Sequence, residues 1–213
     1  MCCRYYMEMS PELRPIVEEA ARSPLASRIS HTLSRPLIKE GEVRPTDIAP
    51  VLAPDRSGER AVFPMAWGFR LPRSASPLVN ARVETAGTKP TFKESWERRR
   101  CVIPASHYYE WEHLVSPATG KTRTGDKYMI RPKDSGITWL AGFYRIEERS
   151  GIRIPVFTVL AREPGDSIRF IHNRMPVILP EEAAREWIRP GADPEQVVRE
   201  AITDMAFEKM TAT

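Results

Sequence analysis

Cysteine is scarce: Cys2, Cys3 and Cys101 are the whole supply in 213 residues. An odd, small set does not build a disulfide framework, so a reducing compartment, the cytoplasm, is the expected setting. No run of about 18 apolar residues occurs, which argues against a membrane-spanning helix. The opening residues, Met1-Cys2-Cys3-Arg4-Tyr5-Tyr6, lack the apolar segment of a signal peptide. Histidine is also sparse, at four residues, and no C-x-x-C or H-E-x-x-H spacing is present. Neither a metal centre nor a cofactor is therefore expected. Internal repeats and low-complexity tracts are absent too.

What is present is ordinary globular composition, 41% hydrophobic and 28% charged. A chain of this length can bury a sizeable core without staples. A net charge of +4 is a mild lean toward anionic partners. Twenty prolines are spread along the chain, which predicts many short elements. Ser10-Pro11 reads as the start of a helix whose apolar face is Leu13, Ile16, Val17, Ala20 and Ala21. Pro90 to Arg99 reads as a second helix. Strands are expected at Phe63–Phe69, Leu78–Val83, Cys101–Ile103, His107–Trp111, Lys127–Arg131, Ile137–Arg145, Ile152–Ala161 and Met175–Leu179. Ser116 to Asp126 reads as a polar loop and Pro164 to Phe170 as a short helix. Two more helices begin near Pro180 and at Asp193-Pro194-Glu195-Gln196. This irregular order predicts an α+β fold, a single domain over 1–213 with a central antiparallel, barrel-like sheet flanked by helices. Asp204 to Thr213 is expected to be a loose tail, and the chain a monomer.

Several residues could carry chemistry. Removal of Met1 would leave Cys2 with a free α-amine beside its thiol. Such an amine titrates near 7.7–8.0 and is partly neutral at pH 7. The pair can condense with an aldehyde to an imine and then close a five-membered thiazolidine ring. The alternative is a small residue at a frayed terminus. His172 stands before an apolar strand and can shuttle protons, or simply bond to backbone. Asn80 and Arg82 share a strand face and pair an amide with a cationic fork suited to phosphate; equally, Arg82 could answer a carboxylate. In His107 to Glu112, alternation puts Glu110 with Tyr108 and Glu112. Buried there, Glu110 would have a raised pKa suited to acid–base work; exposed, it would be a wet-face carboxylate. Trp67, beside Gly68, could offer a ring face to a nucleobase or could be core.

In this order, Met1-Cys2-Cys3-Arg4-Tyr5, Ile48-Ala49-Pro50, Trp67-Gly68-Phe69, Asn80-Ala81-Arg82-Val83-Glu84-Thr85, Arg100–Ala105, Tyr109-Glu110-Trp111 and His172–Leu179 resemble the SOS response-associated peptidase (SRAP) family, over residues 1 to about 188. The resemblance implies a mixed α+β fold with a barrel-like sheet and a basic DNA groove. It implies a protein that senses abasic sites in single-stranded DNA and forms a thiazolidine crosslink through Cys2, with self-removal of Met1; an imine at C1′ would also acidify the neighbouring carbon, so a weak abasic-site lyase activity is expected. By the same resemblance, Asn80 holds the N-terminus and opened sugar, Glu110 relays protons and His172 promotes sugar ring opening. Arg82 and Arg4 then bind phosphates, and Trp67 and Pro50 meet neighbouring bases. Cys3 departs from the pattern, which commonly has glycine there. Association with the nucleoid is expected when DNA is bound.

Two other readings compete. A thiol peptidase acting on other proteins would turn over a peptide in trans. A non-covalent single-stranded DNA-binding module would bind reversibly and be indifferent to Cys2.

Overall fold

Long stretches rich in β-branched and aromatic residues leave the chain little choice but extended structure between Arg100 and Arg162. A computed structural model describes residues 3–72, 74–116 and 119–211. In chain order its elements are β1 (Arg4–Met7), α1 (Arg14–Arg22), α2 (Pro24–Leu33), β2 (Gly41–Val43), β3 (Ile48–Pro54), β4 (Arg60–Trp67), β5 (Asn80–Arg82), α3 (Val83–Ala86), α4 (Pro90–Arg98), β6 (Arg100–Ala105), β7 (His107–Val115), β8 (Thr122–Pro132), β9 (Thr138–Arg149), β10 (Ile152–Arg162), a 3-10 turn (Asp166–Ile168), β11 (Met175–Pro176), β12 (Ile178–Leu179), α5 (Glu181–Ile188), α6 (Pro194–Arg199) and β13 (Met205–Lys209).

Five strands close into a ring. β10 pairs with β4, β4 with β3, β3 with β6, β6 with β9, and β9 returns to β10. Closure leaves these strands without a free edge. Pairing is antiparallel except along β10, which runs parallel to β4 and β5, so the barrel is mixed. The strand β9 serves two neighbours, β6 along Thr138–Phe143 and β10 along Gly142–Arg149. Gly142 lies where the two overlap. A Cβ there would stand 2.6 Å from both the Thr158 carbonyl oxygen and Ile103, so only glycine fits that approach.

Alternate residues of the barrel strands face opposite ways. Ile48 and Leu52 of β3 join a core with α1, α2, α4 and α5, while Ala49, Val51 and Ala53 join a second core shared with the other sheet. That sheet is antiparallel, in the order β13-β8-β7-β1-β2. The N-terminal strand β1 is thus internal, laddered to β2 on one side and β7 on the other.

Three expectations are corrected. The first helix starts at Arg14 rather than Pro11. The Ser10 hydroxyl accepts the Leu13 N–H at 3.2 Å and closes a turn ahead of the helix, and Pro15 takes the first helical turn. Part of the expected 116–126 loop is strand, since β7 and β8 pair as far as Val115 and Thr122. The expected tail contributes β13, paired with β8 from Met205↔Pro132 to Lys209↔Tyr128; Met205 is buried in the second core.

Candidate active site

The candidate residues approach one another where the two sheets meet. At its end, β10 is flanked on both sides: Val159 is opposite Asn80 and Ala161 is opposite both Arg82 and Pro176. The segment bearing Asn80 and the turn bearing His172 therefore straddle one strand end. Asn80 and His172 are each only 6% exposed.

An ion pair holds these two segments together. The Arg174 guanidinium donates to both Glu84 oxygens, at 2.9 and 2.6 Å, and to the Ala161 carbonyl at 3.2 Å. Hydrogen bonding to Arg174 keeps the Glu84 carboxyl below its usual range. The Arg174 backbone N–H donates to His172 Nδ1 at 2.9 Å. An acceptor Nδ1 puts the proton of the neutral ring on Nε2. Burial, first among its causes, brings the His172 pKa down to about 4, so the ring is neutral at pH 7. One residue of this pair, Glu84, is largely exposed, so the pair adds at most about 1 kcal/mol to stability. Its larger effect is on geometry. Glu84→Gln should slow the proposed adduct formation by about 10- to 100-fold, the scale of a small misplacement, while the melting temperature barely moves. Single-turnover rates beside a thermal melt check this; an unchanged rate would make the pair a plain surface bridge.

Glu110 reaches the site from β7 in the other sheet. It is buried at 5% exposure, and burial raises its pKa. The wet-face alternative for this residue is thereby removed. The register Tyr6↔His107, Tyr5↔Tyr108, Arg4↔Tyr109 brings the chain toward its N-terminus beside Glu110. Cys3 is exposed, yet its thiol registers that approach: partial desolvation, first among the causes, raises its pKa, and the Glu110 charge also raises it. Cys2 lies outside the described residues.

His113 joins the two halves, and nothing in its spacing marked it for this task. Its backbone N–H donates to the Ile171 carbonyl at 2.9 Å, and its ring lies 3.9 Å, centroid to centroid, from that of His172. A β-bulge between Trp111 and His113 shifts the register and re-aims the strand toward that turn.

The DNA-facing expectations divide. Arg82 is exposed and, with Arg169, Asn173 and Arg174, lines a cleft of about 340 Å³ beside the His172 turn. Arg4 is half-exposed, ion-paired to Glu42 at 3.2 Å and stacked over Trp111 at 5.0 Å. Trp67 and Pro50 do not fit their expected roles. Trp67 is 1% exposed, stacked on Phe157 and tilted against Tyr5; Pro50 is buried within β3. Neither offers a face to a base. Trp67 instead donates its indole N–H to the Val79 carbonyl at 3.0 Å, bracing the residue ahead of Asn80. Among the described residues no group of three His, Cys, Asp or Glu could hold a metal. A cavity of about 720 Å³ between α1, α5 and the β3–β4 hairpin contains none of the candidate residues.

Known proteins resemble this chain in sequence and in fold. The family model described as SOS response associated peptidase (SRAP) matches residues 1–213. The abasic site processing protein YoqW of Bacillus subtilis is 31% identical over 171 residues, covering 74% of this chain and 73% of the relative. The abasic site processing protein YedK of Escherichia coli is 29% identical over 143 residues, covering 65% and 60%. The abasic site processing protein HMCES of Xenopus tropicalis is 28% identical over 167 residues, covering 65% and 48%. A crystal structure of a Bacteroides thetaiotaomicron protein superposes with a TM-score of 0.72 at 20% identity, covering 99% of this chain and 92% of that one, a likeness of fold.

Proposed function

Because the chain belongs to the SOS response-associated peptidase (SRAP) family, we propose that it processes abasic sites in single-stranded DNA by joining them covalently to Cys2. Relatives named abasic site processing proteins support the substrate class. The observation that carries the chemistry is a buried acid, Glu110, and a neutral-held imidazole, His172, brought together beside the approach to the N-terminus.

An abasic sugar exists partly as an open-chain aldehyde. His172 passes a proton between the ring oxygen and the C1′ hydroxyl as the sugar opens. The neutral Cys2 amine, freed by removal of Met1, adds to C1′ to give a carbinolamine. Glu110 gives its proton to the departing hydroxyl, water leaves and an imine forms. The Cys2 sulfur then adds to the imine carbon and its proton passes to nitrogen, closing the thiazolidine. Aldehyde and aminothiol have become ring and one water. Asn80 orients the opened sugar. Arg82 and Arg4 meet phosphates, giving affinity without sequence preference and a strong salt dependence.

Intact mass tests this in one experiment. Alone, the purified protein should lack one methionine residue. After exposure to a single-stranded oligonucleotide with one abasic site, it should gain the oligonucleotide mass less one water. An intact oligonucleotide should add nothing. Retention of Met1, or no mass gain, overturns the proposal.

A further inference from the structure

Two of the large hydrophobic side chains most exposed among the described residues, Phe170 at 49% and Phe207 at 45%, touch each other. Their ring centroids are 5.3 Å apart at 68°, and Tyr128, buried in the second core, backs them at 5.7 Å from Phe170 and 6.1 Å from Phe207. Single exposed apolar residues are normal on a protein surface, whereas a contiguous aromatic group calls for a partner.

Its position narrows the partner. Tyr128 is the direct cross-strand neighbour of Glu110, and Lys209 is the neighbour of Tyr128 on the far side. Direct neighbours share a face of the sheet, so Glu110, Tyr128 and Lys209 form one row. Phe207, two residues before Lys209, lies on that same face. Phe170 meets the group from the turn two residues ahead of His172. Glu110 and Tyr128 are buried in this row, so the exposed rings lie outward of the acid–base residues, Phe207 about two strand spacings or ~10 Å from β7. Cations border the patch. Lys209 is bonded to Asp126 at 2.6 Å and Arg169 to Asp166 at 3.0 Å, and both keep more than half of their side chains in solvent. Aromatic faces interleaved with cations, leading away from a reactive centre, match the needs of a single strand: stacking for bases, charge for phosphates.

We infer that Phe170 and Phe207, backed by the buried ring of Tyr128, form a stacking platform for a base flanking the lesion, on the β13 side of the site. The inference rests on the proposed function for its ligand, single-stranded DNA. Phe170 and Phe207 keep about half of their surface in solvent, and stacking is indifferent to base identity, which suits a sensor of lesions in any sequence.

The test uses an intact single-stranded oligonucleotide with no abasic site, so that adduct formation plays no part. Phe170→Ser and Phe207→Ser should each weaken binding about tenfold, within the range of one lost base stack. The slope of affinity against salt should stay that of the parent, since no phosphate contact is removed. Phe207→Leu keeps apolar packing without a ring and should also weaken binding, which guards against misfolding as the cause. Oligonucleotides carrying 5-iodouracil should photocrosslink to Phe170 or Phe207 in the parent. Variants that bind as the parent does, with no photocrosslink to these rings, overturn the platform while leaving the proposed function standing. Variants that change only self-association assign the patch to a second copy of the chain and overturn it as well. A parent that binds no single-stranded DNA overturns both.

Discussion

Cys2→Ala should reduce the denaturation-resistant protein–DNA species to the level of an intact-DNA control. The reason is one of valence. Closing the five-membered ring needs a thiol and a free amine on the same residue. The Cys3 nitrogen is an amide, and Cys101 is fully buried with its thiol pKa pushed well up, so neither can replace Cys2. The alanine variant still has an α-amine once Met1 is gone. It should therefore still form an imine, which borohydride reduction would trap as a stable secondary amine. The expected pattern is loss of the adduct without reductant and its recovery with reductant. An adduct of parental yield in unreduced Cys2→Ala would place the chemistry elsewhere.

Glu110→Gln should slow adduct formation by about 10²- to 10³-fold, within the usual contribution of a general acid–base group. Glutamine preserves size and hydrogen bonding but cannot release a proton to the departing hydroxyl. The pH dependence should change with it. In the parent, the rate should rise with pH as the Cys2 amine, with its ordinary range near 7.7–8.0, loses its proton. It should fall where Glu110 ionises, at a pH above the ordinary carboxylate range because burial raises its pKa. His172, with a pKa of about 4, protonates only in acid and adds a loss of rate there. In Glu110→Gln the decline due to Glu110 should vanish while the amine-linked rise remains. Single-turnover rates between about pH 4 and 9 give this comparison, spanning the ordinary titrations of imidazole and amine. A variant as fast as the parent, with an unchanged profile, would remove Glu110 from the mechanism.

Periodicity made many of the strands, though not β1, and most helices legible, because long β-branched runs and proline-led caps are local signals. The Ser23-Pro24 start of α2 carries the same kind of signal as Ser10-Pro11, and Ser23 does cap it, accepting the Leu25 N–H at 3.3 Å. That helix nevertheless went unread, and Ser10 turned out to close only a preceding turn. Strand β13 was hidden because its sequence, Met205-Ala206-Phe207-Glu208-Lys209, is short and half-polar; its pairing with β8 is decided by a partner more than 70 residues away. At the site, the roles proposed for Asn80, Glu110 and His172 came from motif resemblance, whereas their burial is a tertiary fact. Trp67 shows the limit most plainly. A tryptophan beside a glycine reads equally well as an open platform or as core, and the packing of Tyr5 and Phe157 against it decides for core.

The placement of β1 between β2 and β7 has a bearing on how the protein can be handled. A strand hydrogen-bonded along both borders has little freedom to slide, so the chain enters the site on a fixed leash from Arg4 onward. A purification handle fused ahead of Met1, unless cleaved back to Cys2, would leave the Cys2 nitrogen locked as an amide. The opposite terminus follows an outermost strand, β13, and is the natural point of attachment for fusions or surface tethers.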